Sequence, residues 1–92
     1  MVVPVEFKQF TRLFLRGSLE WTKDMDEFID DAIDLLDAKQ KPIVKSYLDE
    51  ILSSQLDEDD LNAMWMSCSP NYWIKEGEMR EFLMRVRQRL DR

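Results

Sequence analysis

The stretch Asp24-Met25-Asp26-Glu27-Phe28-Ile29-Asp30-Asp31-Ala32-Ile33-Asp34-Leu35-Leu36-Asp37 decides the fold class. Its apolar residues are Met25, Phe28, Ile29, Ala32, Ile33, Leu35 and Leu36. They recur at the three- and four-residue spacing of one helical face. The acids Asp26, Glu27, Asp30, Asp31, Asp34 and Asp37 fill the opposite face. Asp24, with Glu27 three residues on, has the spacing of a helix N-cap and its capping box. The pattern predicts an amphipathic helix over about 24–38.

Moving toward the C-terminus, the pattern breaks at Ala38-Lys39-Gln40-Lys41-Pro42. Proline restricts the residue before it to extended backbone, so Lys41 is read as a helix boundary. Ile43, Val44, Tyr47, Leu48, Ile51 and Leu52 then predict a helix over about 42–53. Asp57, with Asp60 three residues later, is an N-cap signature ahead of Leu61, Met64, Trp65 and Cys68. It predicts a helix over about 58–67. Ser69-Pro70-Asn71-Tyr72-Trp73 reads as an aromatic connection whose rings anchor either the loop or a partner. Met79, Phe82, Leu83, Val86 and Leu90 predict a last helix over about 76–90. Its exposed face carries Arg80, Arg85, Arg87 and Arg89, with Arg92 beyond.

Toward the N-terminus, residues 18–23 read as a loop, with Thr22 as a further capping candidate. Before it, Phe7, Phe10 and Phe14 predict a helix from about Pro4 to Arg16. Pro4 suits a first helical turn, and Gly17 suits the left-handed residue that closes a helix. Lys8, Arg12 and Arg16 form a basic stripe along this segment.

The bulk composition agrees with this pattern. Only 2 glycines and 3 prolines occur in 92 residues, too few for the tight turns that a sheet protein needs. With 45% apolar residues the chain can build one core. The expected fold is therefore all-α: a single domain over residues 1–92, built as a compact orthogonal bundle of about five short amphipathic helices. Short helices are marginal alone, so packing must stabilise them.

Several kinds of chemistry are missing. The chain has no histidine, which removes the commonest general base and metal ligand, and with them the Ser-His-Asp and Cys-His schemes. Its glycines, Gly17 and Gly77, cannot build a phosphate-binding loop. The single Cys68 ends an apolar stripe and reads as a small core residue rather than a nucleophile. A calcium loop starting at Asp57 would need glycine at its sixth position and glutamate at its twelfth; Asn62 and Cys68 stand there. A start at Asp24 fails at Ile29. Asp57, Glu58, Asp59 and Asp60 are better explained as a helix start, where acids favour the dipole. We therefore expect no enzyme activity, no metal and no cofactor. The beginning Met1-Val2-Val3-Pro4 lacks the pattern of a secretory signal, and no apolar run approaches the roughly 20 residues of a membrane span. A single cysteine fits a reducing compartment, so a cytoplasmic location is expected.

Charge is what remains to be explained. The net charge is −6, unevenly placed. Residues 20–60 carry fourteen acids and four bases, a balance of −10, while each flank carries +2. Such a middle repels nucleic acid and attracts a basic protein. The six acids of 26–37 have no base among them, and like charges at helical spacing are mildly destabilising. They keep the surface solvated, or they serve as a docking face. The candidate partner-binding residues are thus Asp26, Glu27, Asp30, Asp31, Asp34 and Asp37, with Asp57, Glu58, Asp59 and Asp60 as a second patch.

The order of features also resembles a known family. Phe10-Thr11-Arg12-Leu13-Phe14-Leu15-Arg16-Gly17 is followed by Glu20-Trp21 and the acidic helix. Val44-Lys45-Ser46-Tyr47-Leu48-Asp49-Glu50-Ile51-Leu52 and Asp60-Leu61-Asn62-Ala63-Met64-Trp65 come next. The last such run is Met79-Arg80-Glu81-Phe82-Leu83-Met84-Arg85-Val86-Arg87-Gln88-Arg89-Leu90. From about Phe7 to Leu90 this pattern of core residues resembles the small bacterial immunity proteins of contact-dependent growth inhibition systems. The resemblance implies a protein that binds the toxin domain of a delivered effector and blocks it. Many such toxins are nucleases with basic substrate surfaces, for which an acidic helix could compete. The alternative is a helical adaptor or regulator with an unrelated partner, using the Tyr72-Trp73 loop.

Overall fold

The computed structural model describes residues 3–14, 24–70, 72–75 and 77–91. Five helices run through them: α1 (Val5–Thr11), α2 (Met25–Asp34), α3 (Gln40–Ser53), α4 (Glu58–Ser67) and α5 (Met79–Leu90). There is no strand among the described residues. The all-α expectation holds, and each helix falls within or close to a segment marked by apolar periodicity. Gly17, Arg16, the 18–23 loop with Thr22, Asn71 and Arg92 lie outside the described residues.

Helix α5 is the hub. It packs against α2, α3 and α4, and α1 packs on α3. Its buried stripe of Met79, Phe82, Leu83 and Val86 faces these neighbours. Around it lie Phe28, Ile29, Ala32 and Ile33 of α2, Val44, Tyr47, Leu48 and Ile51 of α3, and Leu61 and Trp65 of α4. Phe14 sits at the meeting point. Its ring centroid lies 5.0 Å from Phe10, 5.4 Å from Phe28, 5.7 Å from Trp65 and 5.4 Å from Phe82. The edge-on and tilted ring geometries there are those favoured by aromatic quadrupoles. Cys68 is buried, as expected of a core thiol, and its Sγ donates to the Met64 carbonyl at 3.3 Å. Desolvation raises its pKa, which makes it a poor nucleophile.

The ends of four helices differ from the sequence expectation: α5 begins at Met79 rather than about 76, and the other three differ each for a local reason. Helix α1 stops at Thr11 instead of continuing to Arg16. The amides of Arg12 and Leu13 bond to carbonyls three residues back, which tightens and ends the coil. The Thr11 hydroxyl donates to the Lys8 carbonyl at 2.7 Å, and the Arg12 guanidinium crosses to the Cys68 carbonyl at 3.3 Å. Phe14, read as part of the helical face, is buried from beyond the helix.

Helix α2 ends at Asp34 rather than 38. The amides of Leu35 and Leu36 bond three residues back, which turns Leu36 inward and leaves Leu35 62% exposed. Leu35 therefore leaves the predicted apolar face.

Helix α3 begins at Gln40, so Lys41 is helical rather than extended. Pro42 falls in the first turn, where its missing N–H lacks an intrahelical partner anyway. Asp37 makes this start possible. Its Oδ1 accepts the amides of Lys39 and Gln40 at 2.8 Å each, and Gln40 Oε1 accepts the Asp37 amide at 3.0 Å. This reciprocal pair has the pattern of a capping box, set two residues ahead of the helix's N-cap Lys39, in the stretch read only as a break.

Helix α4 spans the expected 58–67. Asp57 Oδ1 accepts the Asp60 amide at 2.8 Å, and Asp60 returns the bond to the Asp57 amide. Asp24 likewise caps α2 through the Glu27 amide at 2.8 Å.

Candidate functional site

The arginine row of α5, read as an exposed face, lies largely between helices. Arg89 clasps Asp30 of α2 through two parallel bonds, Nε to Oδ1 at 2.7 Å and Nη2 to Oδ2. The Asp30 side chain retains only 16% of its exposure. Arg85 Nε lies 3.2 Å from Asp26 Oδ1. That oxygen is shielded from solvent and has no hydrogen-bond donor among the described residues, so the contact is an ion pair whose N–H points off the line of centres. On the other side, Arg87 grips Asp49 of α3 and donates to Asp91 at 2.7 Å, which Lys45 approaches at 2.6 Å. The hydrogen bonds from Lys45 and then Arg87 hold the Asp91 carboxyl below its ordinary range. Arg80 reaches the far end of α3, donating to the carbonyls of Leu52 at 3.3 Å and of Leu56.

These contacts sort the ten acids expected to bind a partner. Asp26 and Asp30 pair with α5. Asp37 starts α3, and Asp57 with Asp60 starts α4. Glu58 caps α5: its two carboxylate oxygens accept the amides of Met79 and Arg80, at 3.0 Å each. Glu27 is half-buried in the first turn of α2. Asp31, Asp34 and Asp59 are exposed and make no hydrogen bond or ion pair through their side chains among the described residues. The structure therefore brings Asp31 and Asp34 together with exposed Leu35 on the outer side of α2, and places the 57–60 group on a separate helix start. Sequence reading could have assigned Asp37, because Asp37-x-x-Gln40 has capping-box spacing. The role of Glu58 had no such signal, because its partner amides are more than twenty positions away.

The aromatic connection divides. Tyr72 is half-buried, its ring 5.0 Å from Phe28 and 6.4 Å from Phe82, and its carbonyl accepts the Trp65 indole N–H at 2.8 Å. Trp73 is 66% exposed.

Among the described residues, no group of three or more histidine, cysteine, aspartate or glutamate side chains is arranged to hold a metal ion. No helix of the described residues is long and apolar enough to cross a membrane. No protein-family profile, curated protein or solved structure gives a match to this chain. Function has to be argued from the surface itself.

Proposed function

We propose that this chain is a protein-binding module that captures a basic partner on the outer face of α2, and that the partner is a toxin domain of the contact-dependent growth inhibition kind. One observation carries the binding reading. After α5 has neutralised Asp26 and Asp30, the same helix still presents Asp31 and Asp34 to solvent beside an exposed leucine. Unpaired carboxylates around an apolar side chain suit a partner that offers cations around an apolar contact. The inward acids and the 57–60 group add to a negative field that steers such a partner from a distance. The toxin identity rests on the sequence resemblance, and the charge distribution is consistent with it.

The test is a pull-down of the co-expressed protein from its native host, with bound proteins identified by mass spectrometry. A basic toxin domain, held at low salt and released as ionic strength rises, is the expected result. Recovery of an unrelated regulator alone would replace the immunity reading with that of a helical adaptor. Recovery of no basic protein would overturn the docking reading of α2.

A further inference from the structure

A cleft of about 460 Å³ opens between the start of α2, the 72–75 segment and the first turns of α5. Its size lies within the range of pockets that take a side chain or small ligand. Met25, Tyr72 and Phe82 give it an apolar side, and Trp73 lines it while remaining 66% exposed. A lone exposed tryptophan would call for no explanation. This one shares a concave surface with two further aromatic rings and a set of charges.

Those charges decide which chemistry fits. Arg85 already lies against Asp26, so it contributes little free positive charge. Glu78 and Glu81 line the same cleft, both exposed and without an ion-pair partner among the described residues. Lys75 is the opposing cation. The start of α5 would otherwise draw an anion, because its free amides form the positive end of the dipole. Here Glu58 takes the amides of Met79 and Arg80, and Glu78 and Glu81 stand over the same turn. An incoming anion would meet two carboxylates against Lys75, the one cation of the cleft unpaired among the described residues, whereas an incoming cation would find Lys75 outnumbered by those carboxylates and aromatic rings beside them.

We infer that this cleft is an anchor pocket for a basic side chain, arginine or lysine, of the protein partner. The inference rests on the reading of the chain as a binder of a basic protein, and it adds a second contact on a different surface from Asp31 and Asp34. The cation sits against the aromatic lining near Trp73, with Glu78 and Glu81 taking its N–H groups. Flat guanidinium groups suit both contacts, since they stack on rings and form paired bonds with carboxylates.

The experiment is an NMR titration of the full ¹⁵N-labelled chain with a capped tri-arginine peptide, using a capped tri-glutamate peptide as control. Expected are shifts of the Trp73 indole and of the backbone over 72–75 and 78–82, caused by tri-arginine and not by tri-glutamate. Trp73→Ala should weaken the apparent affinity roughly fivefold, and the double change Glu78→Gln with Glu81→Gln by a similar factor. Neither variant removes a buried contact, because Trp73 is exposed and the Glu78 side chain makes no cap hydrogen bond. Shifts confined to 31–35, or tri-arginine binding unchanged by Trp73→Ala, would overturn the pocket while leaving the α2 reading intact. Tri-glutamate shifting the same residues, or no shift in the cleft, would overturn it as well. Whether a basic partner exists is decided separately by the pull-down.

Discussion

Glu58 and Arg80 fasten two chain junctions at once. The Glu58 carboxylate accepts the Arg80 backbone amide at 3.0 Å, while the Arg80 guanidinium donates to the carbonyls of Leu52 and Leu56. One residue thus closes the start of α5, and the other closes the end of α3 and the turn that leads into α4. Charge-assisted bonds of this kind are about twice as strong as neutral ones.

Replacing Glu58 by alanine leaves two amides at the start of α5 without their carboxylate. The expected cost is about 1–2 kcal/mol of unfolding free energy, the scale of a lost helix cap. Asp59→Ala is the matched control, since Asp59 is exposed and contacts nothing comparable; its effect should stay within about 0.5 kcal/mol. Chemical denaturation of the two variants side by side gives the answer. Equal costs would show that the Glu58 bonds contribute nothing beyond surface charge.

The helices were legible in the sequence wherever apolar periodicity and a local cap coincided. Asp57-x-x-Asp60 and Asp24-x-x-Glu27 both announced true helix starts, because capping is a contact between near neighbours. Some misses were local, such as the Asp37-x-x-Gln40 hydrogen bonds that let α3 start early, and the others came where tertiary contacts outweighed local pattern. Phe14 has the spacing of a continuing helix, yet it turns from a different backbone into a cluster of four rings. The destinations of Asp26, Asp30 and Glu58 lie on α5, some twenty to sixty positions away, and no local spacing encodes that distance. The acidic face could therefore be seen in the sequence, but its division into inward and outward carboxylates could not.

That division makes a prediction about partner binding. Asp31→Lys with Asp34→Lys should leave the melting temperature nearly unchanged and slow association with a basic partner roughly tenfold at low salt. The effect should shrink as salt rises, because exposed charges are screened. Asp30→Lys should behave differently: it sets a cation against Arg89 and should lower the melting temperature before any partner is added. Association kinetics and thermal melts on the same samples separate the two groups. A thermal penalty for the Asp31 and Asp34 changes equal to that of Asp30→Lys would contradict the assignment of inward and outward roles.

Tyr47 links the core to alkaline stability. Burial pushes its phenol up to about 12 from an ordinary 10.0, and the nearby Cys68 and Glu50 add to the shift. The folded state thus holds the phenolic proton more tightly than the unfolded chain does. The resulting stabilisation is complete below pH 10 and is lost as pH rises from 10 toward 12. Tyr47→Phe has no such proton to lose. Its unfolding free energy should fall less steeply than that of the parent chain between about pH 9 and 12. Parallel slopes in denaturation experiments across that window would mean that Tyr47 does not titrate with unfolding.

Phe14 gives the sharpest test of the core, because it lies outside every helix and therefore contributes through packing rather than helix propensity. Its ring meets those of Phe10, Phe28, Trp65 and Phe82, so truncation opens a void where α1, α2, α4 and α5 converge. Phe14→Ala should cost about 3–5 kcal/mol, a large fraction of the 5–15 kcal/mol that holds typical domains together. Leu13→Ala removes a neighbouring, only half-buried side chain and should cost clearly less. Trp73→Ala removes a larger ring but one that is 66% exposed, and it should stay within about 0.5 kcal/mol. Size alone would rank tryptophan first; burial ranks phenylalanine first. Denaturation midpoints for the three variants decide between these rankings, and a Trp73→Ala cost equal to that of Phe14→Ala would place Trp73 in the core and close the cleft proposed beside it.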